Sequence, residues 1–255
     1  MMPHYRADEL FDLVDIGPAR GMPEWANLKA VDRPAAVDKE HLVGPGIYAL
    51  FLNDELFYIG IHAPADLPVT ERWHKHVVAH TLRASSMFMR RRAFIYSLML
   101  PGPIGQGLRA CLTQASQEQF ELANQDVDPF SSQWSKAMRQ IELHGSGGIC
   151  APLVTRSFNT IFNKARFAEA NWSTLGPGHD KDILSRMTFL YERLQTSTWS
   201  TAHEVKYQGL KRREDGLIAE FRPICNRETN PGDERTGVTL PVVQQAILRA
   251  FATTG

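Results

Sequence analysis

Two short apolar runs with a polar break between them dominate the first third of the chain. Ile47 to Leu52 reads IYALFL, and Leu56 to Ile61 reads LFYIGI. Both are rich in strand formers, and Asn53-Asp54-Glu55 between them is a turn signal. Gly44-Pro45-Gly46 punctuates the start. The pattern predicts a β-hairpin buried on at least one face. After a loop opened by His62-Ala63-Pro64, the segment ERWHKHVVAHTL predicts a helix, with Thr70 as its N-cap and Glu71 favourably placed in the first turn.

The remainder reads less sharply. Residues 1 to 44 mix short apolar groups with Pro and Gly; Asp8 to Val14 suits a short helix, and 33 to 39 a linker or helix start. A basic run, Arg90-Arg91-Arg92, precedes AFIYSLML, which stops at Pro101-Gly102-Pro103. Helical patterns follow at 116–124, 132–143 and 158–170, with a Gly-rich turn at 144–148 and a loop at 172–180. Met187 to Leu194 predicts a strand. Ser200 or Thr201 then caps a long helix that Pro223 brings to an end. A Gly/Pro turn at 230–237 and a short amphipathic helix, PVVQQAILRAF, close the sequence.

Composition narrows the class without naming a function. The apolar share of 43 % and charged share of 22 % are those of an ordinary globular protein, which argues against extensive disorder. A net charge of zero gives no overall basic signature, although charge sorted onto one face can still meet nucleic acid. Cys111, Cys150 and Cys225 are too far apart for a zinc knuckle or redox pair, so idle thiols in a reducing cytosol are expected. The N-terminus lacks a signal-peptide pattern, and no apolar stretch approaches the roughly 20 residues needed to span a bilayer. The expectation is a soluble, cytoplasmic protein.

Three separated pieces carry candidate chemistry: Gly46-Ile47-Tyr48 with Tyr58-Ile59-Gly60; Arg72 and His76; and Glu214 with Asn226 in EDGLIAEFRPICN. Alternation along strands allows Tyr48 and Tyr58 to share one face of the hairpin. Arg72 and His76 are four apart, hence on one helix face. Glu214 shares a stripe with Leu217, Ile218 and Phe221. Taken singly, each has an ordinary reading: strand aromatics, a solvated helix face, and a surface ion-pair cluster of Glu214 with Lys211, Arg212 and Arg213.

Together, and in this order, the pieces resemble the GIY-YIG endonuclease family, most closely its type II restriction branch. The resemblance covers residues 44–82 and about 187–227. It implies an α+β fold: a small catalytic core with a three-stranded antiparallel sheet flanked by helices. That core would be interrupted by a large, mainly helical insertion at 83–186, with an extension at 1–43 and a tail at 228–255. It implies a sequence-specific duplex DNA endonuclease that uses Mg²⁺, with Mn²⁺ as a substitute. In that role Glu214 is the metal ligand, since Mg²⁺ often takes only one or two carboxylates. Tyr48 activates or positions water, and His76 accepts its proton. Arg72 binds a phosphate oxygen, Tyr58 orients water or phosphate, and Gly60 and Asn226 are supporting residues, Asn226 holding the end of the Glu214 helix against the core. His62 stands where many members have a neighbouring Lys, and it partly substitutes. A repair, recombination or mobile-element nuclease with the same site is the alternative, as is an inactive DNA-binding module. A symmetric target favours a homodimer, one site per strand.

The insertion's Arg, Lys, Asn and Gln side chains suit base reading in the major groove, and Arg90, Arg91 and Arg92 suit phosphate contact. Replacing these three arginines by Ala is expected to weaken DNA binding and to lower the slope of log K against log salt by up to about 2–3. Binding isotherms at several salt concentrations check this, and an unchanged slope refutes the contact.

Overall fold

The computed structural model describes residues 3–15, 17, 28–33, 39–81, 83, 102–110, 112–125, 164, 167–176, 178–194, 203–226 and 235–252. Arg90, Arg91 and Arg92, the 132–143 helix, the 144–148 turn, the Ser200/Thr201 cap, Cys111 and Cys150 lie outside these residues. The chain divides into two compact units. The first comprises Met1–Leu13, Ala30–Val77 and Thr174–Gly255; the second comprises Val14–Lys29 and Val78–Ser173. The class is mixed α and β with a small antiparallel sheet.

In chain order the described elements are β1 (His4–Arg6), α1 (Ala7–Leu10), β2 (Phe11–Asp15), β3 (Leu28–Asp32), β4 (Gly46–Leu52), β5 (Glu55–His62), α2 (Thr70–His80), α3 (Pro103–Arg109), α4 (Gln114–Gln125), α5 (Trp172–Leu175), α6 (Asp180–Arg186), β6 (Met187–Arg193), α7 (His203–Phe221) and α8 (Leu240–Ala252). The main sheet has four strands, ordered β1-β6-β4-β5 and antiparallel throughout. Three strands were expected. The fourth, β1, comes from the N-terminal residues assigned to an extension, which pair with β6 through Tyr5 opposite Phe189. Asp8 to Val14, expected to be helical, instead divides between α1 and β2, because strand formers outnumber helix formers once Phe11 is reached.

The β4–β5 hairpin forms where the apolar pattern placed it. Its loop is Asn53-Asp54, both with positive φ (49° and 64°), a type I′ turn whose twist matches that of the strands. Asn and Asp tolerate this left-handed region better than other side-chain-bearing residues. Every residue of β4 is buried, which explains the unbroken apolar run: the strand is central and covered on both faces.

The two faces are packed differently. On one, Ile47, Ala49, Phe51, Ile59 and Leu190 meet Leu210, Leu217, Ile218 and Phe221 of α7 and Val243, Ala246 and Ile247 of α8. The spacing of the α7 residues is one helical stripe. On the other face, Trp73 of α2 stacks on Phe189 with ring centroids 4.7 Å apart, and Tyr5, Tyr48 and Tyr191 surround it. Thr70 does not cap α2. It is the first helical residue, its hydroxyl is buried without a hydrogen-bond partner among the described residues, and the chain turns in through the Pro68 and Val69 carbonyls. The 172–180 loop likewise contains a short helix, α5.

β5 is an edge strand, and two later segments of the chain satisfy its outward backbone at Leu56, Phe57 and Ile59. Val238 accepts from the Leu56 N–H (2.9 Å), and the Cys225 N–H donates to the Phe57 carbonyl (3.0 Å). The Asn226 amide accepts from the Ile59 N–H (2.7 Å) and donates to the Ile59 carbonyl (2.6 Å). α7 ends just before this seal because Arg222 adopts φ 44° and Pro223 cannot continue the helix. The residues assigned to a tail thus complete the core.

In the second unit, Arg83 is fully buried, donates to the Thr81 carbonyl (2.8 Å) and lies over the Trp172 ring (5.8 Å). Arg83 opens the segment expected to read bases, but its burial makes it a packing residue instead.

Asn226→Ala should destabilise the fold by about 2–4 kcal/mol, since it leaves both main-chain groups of Ile59 without their partner. Urea unfolding measures this, and a loss below about 0.5 kcal/mol would show that the seal is not structural.

Candidate active site

The site is built on the Trp73 face of the sheet, within the first unit. Tyr48 lies on β4 opposite Gly60 of β5, and Tyr58 lies opposite Leu50. Both phenols project to this face, their rings 6.0 Å apart and inclined by 30°. Gly60 makes that possible. A Cβ there would stand 2.6 Å from both Cζ and the hydroxyl of Tyr48, and 2.8 Å from Cε1 of Tyr58. The Tyr48 ring therefore lies across the neighbouring strand, where only a glycine leaves room. Gly46 serves Tyr191 in the same manner, with a Cβ meeting Cε2 of that ring at 2.7 Å.

α2 supplies the next groups from one helix face. His76 Nε2 lies 2.8 Å from the Tyr48 hydroxyl, and the imidazole packs 4.5 Å from the Tyr58 ring. Arg72, one turn earlier, is exposed, and its side chain makes no hydrogen bond or ion pair among the described residues. Its positive charge nonetheless acts on Tyr48, Tyr58, His62 and Glu214. The guanidinium is thus close to the site and uncommitted.

Glu214 arrives on α7, which packs on β5. It is buried at 7 % exposure, and its charge is felt by both Tyr48 and Tyr58. Phenol, guanidinium and carboxylate from three distant segments therefore share one electrostatic neighbourhood. The surface ion-pair reading is half right: Lys211 Nζ does bond Glu214 Oε2 at 2.7 Å and Asp215 Oδ1 at 2.8 Å, but the Glu214 end of the cluster is buried. Lys211, three residues before Glu214, is the neighbour that sequence reasoning treated only as background. Its i,i+3 spacing was the available signal.

Burial raises the Tyr48 phenol well above its ordinary value, with Arg72 opposing. It pushes Tyr58 up to about 12, with Glu214 acting in the same direction. Both phenols are therefore neutral at physiological pH, and neither is a standing phenolate. Burial also raises Glu214, while the Lys211 hydrogen bond pulls it back.

The two supporting residues, His62 and Asn226, bond to main-chain groups. His62 is buried, and its Nε2 donates to the Leu67 carbonyl at 2.8 Å, which braces the loop into α2. Burial lowers its pKa, and its contact with the loop backbone is not the role of a substitute Lys. Asn226 holds β5, as described above. Cys225 is buried. Among the described residues, no group of three His, Cys, Asp or Glu side chains converges to hold a metal, and no helix is long and apolar enough to cross a membrane. A site with one buried carboxylate still fits Mg²⁺, which keeps waters and substrate oxygens as its other ligands.

Comparison with protein-family models, curated proteins and solved structures gave no match.

The raised phenols link stability to alkaline pH. A neutral Tyr58 favours the folded state. That contribution is complete below the unfolded value of about 10 and is lost as pH rises through about 12. Unfolding free energy should therefore fall above pH 10, approaching about 1.4 kcal/mol per pH unit for each such phenol. Tyr58→Phe should make the fall shallower in urea titrations at pH 9 to 11; an equal fall refutes the assignment.

Proposed function

We propose that this protein is a Mg²⁺-dependent DNA endonuclease of GIY-YIG type, acting on duplex DNA in the manner of a type II restriction enzyme. The observation that carries the reading is the 2.8 Å contact between the buried Tyr48 hydroxyl and His76 Nε2, with Arg72 and Glu214 close enough to act on that phenol. A packing tyrosine has no need of this constellation. Hydrolysis of a phosphodiester needs a proton acceptor for water, a cation for the phosphate and a carboxylate for the metal.

A neutral phenol is a poor base alone. The hydrogen bond resolves this: Tyr48 takes the proton of an attacking water while its own hydroxyl proton passes to His76 Nε2. The new bond joins the water oxygen to phosphorus, and the bond to the leaving sugar oxygen breaks. That oxygen is protonated from solvent. Arg72 presents its fork of donors to a non-bridging oxygen, where negative charge builds. Tyr58, stacked beside Tyr48, orients the water or the phosphate. Glu214 is the residue to hold Mg²⁺ or Mn²⁺, which when bound polarises the phosphate oxygen. Two copies acting on a duplex would cut both strands.

The reading predicts discrete plasmid fragments that require Mg²⁺. Glu214→Gln should abolish cutting while DNA binding in gel shifts persists. Arg72→Ala should lower the rate by about 10²–10³. Tyr48→Phe keeps the ring packing and should be similarly impaired. Full activity in Tyr48→Phe or Glu214→Gln would remove the proposed chemistry, and DNA binding without cleavage by the unaltered protein would indicate a binding module.

A further inference from the structure

The Glu214 carboxylate is not empty-handed. Its side chain is 9 % exposed, and Oε2 is held at 2.7 Å by Lys211 Nζ. The same ammonium reaches Asp215 Oδ1 at 2.8 Å, and Asp215 is far more exposed, at 44 %. All three residues sit within one turn of α7, where side chains three and four apart are neighbours. The ammonium thus has one buried anchor and one wet one.

A buried carboxylate without a counter-charge is costly. Lys211 meets that need on the very oxygen that a divalent cation would seek. An ammonium and a dication cannot share one carboxylate oxygen at contact distance, because their mutual repulsion in a partly buried site is large. Asp215 offers the ammonium somewhere to go. A lysine stem is flexible and its three donors are rotatable, so it can leave Glu214 and keep its contact with Asp215 in water. Arg72 adds a further positive charge that Glu214 senses, and it belongs to the other wall of the site.

Resting on the reading of Glu214 as metal ligand, we propose that Lys211 is a built-in, displaceable stand-in for the metal. It occupies the Glu214 carboxylate when no divalent ion is bound, moves onto Asp215 when one arrives, and so sets the metal concentration the site requires. Lys211 is a positioning residue in this scheme and touches no substrate. Asp215 acts only through it, as the alternative anchor.

The test is Mn²⁺ binding to the full-length protein without DNA, followed by the electron paramagnetic resonance signal of free Mn²⁺ at one fixed pH near 8. Lys211→Met removes the competitor and should bind Mn²⁺ about five-fold more tightly, the scale of a partly exposed ion pair. Lys211→Arg keeps a competing charge and should bind no more tightly than the unaltered protein. Asp215→Asn removes the alternative anchor and should weaken binding about three-fold or more, but should have little effect when combined with Lys211→Met. Glu214→Gln should abolish binding. Unchanged or weaker binding by Lys211→Met, with Glu214→Gln still abolishing it, overturns the stand-in role and leaves the metal ligand intact. An Asp215→Asn effect that persists undiminished in the double variant overturns the anchor and shows Asp215 acting on the metal directly. Binding unaffected by Glu214→Gln, or absent from every variant, overturns the metal-ligand reading and this proposal together. Circular dichroism melts confirm that each variant is folded.

Discussion

The candidate site depends on a missing atom. The Tyr48 ring reaches His76 only because residue 60, directly across the hairpin, has no side chain to fill the space. Any larger residue would strike the phenol oxygen itself and lift the ring away from the imidazole. The stack of Tyr48 against Tyr58, and the packing of His76 on Tyr58, follow from the same clearance. Tyr48 can then be buried with its hydroxyl bonded to His76 Nε2, which avoids the large cost of burying that hydroxyl unpaired.

The sheet divides the work between its faces. α7 and α8 supply a purely apolar core on one side, and α2 supplies aromatic packing and the site's nitrogen groups on the other. Glu214 belongs to the helix of the apolar side, yet it acts electrostatically on the phenols of the opposite side. The position of α7 on β5, the edge strand, accounts for this: at an edge the two faces are only one strand's width from meeting. A carboxylate brought in over a central strand would be screened from the phenols by the sheet itself.

Much of this was legible in residue order. The hairpin, the helix bearing Arg72 and His76, the last strand and the stripe on the long helix all have strong local patterns, and all formed. The shared face of Tyr48 and Tyr58 follows from strand alternation and is observed. What the sequence concealed was long-range. Nothing local in His4 to Arg6 announces a strand, because its pairing with β6 is fixed by residues more than 180 positions away. The role of Val238 is set by the unsatisfied amide of Leu56, and Thr70 lost its cap because the preceding carbonyls already start the helix. His62 looked like a spare catalytic group in one dimension and is occupied by a loop carbonyl in three. Lys211 was visible, but its importance depends on Glu214 being buried, which a charged stretch of helix does not advertise.

The closed outer margin of β5 has a consequence for assembly. Sheets often extend by recruiting a strand from another molecule onto an open flank. Here the main-chain groups of Leu56, Phe57 and Ile59 already have partners from the chain's own residues 225, 226 and 238. A neighbour cannot lengthen the sheet past β5 without first prising those segments loose. Pairing of two copies through this flank would cost those hydrogen bonds, so other surfaces of the first unit are better suited to it.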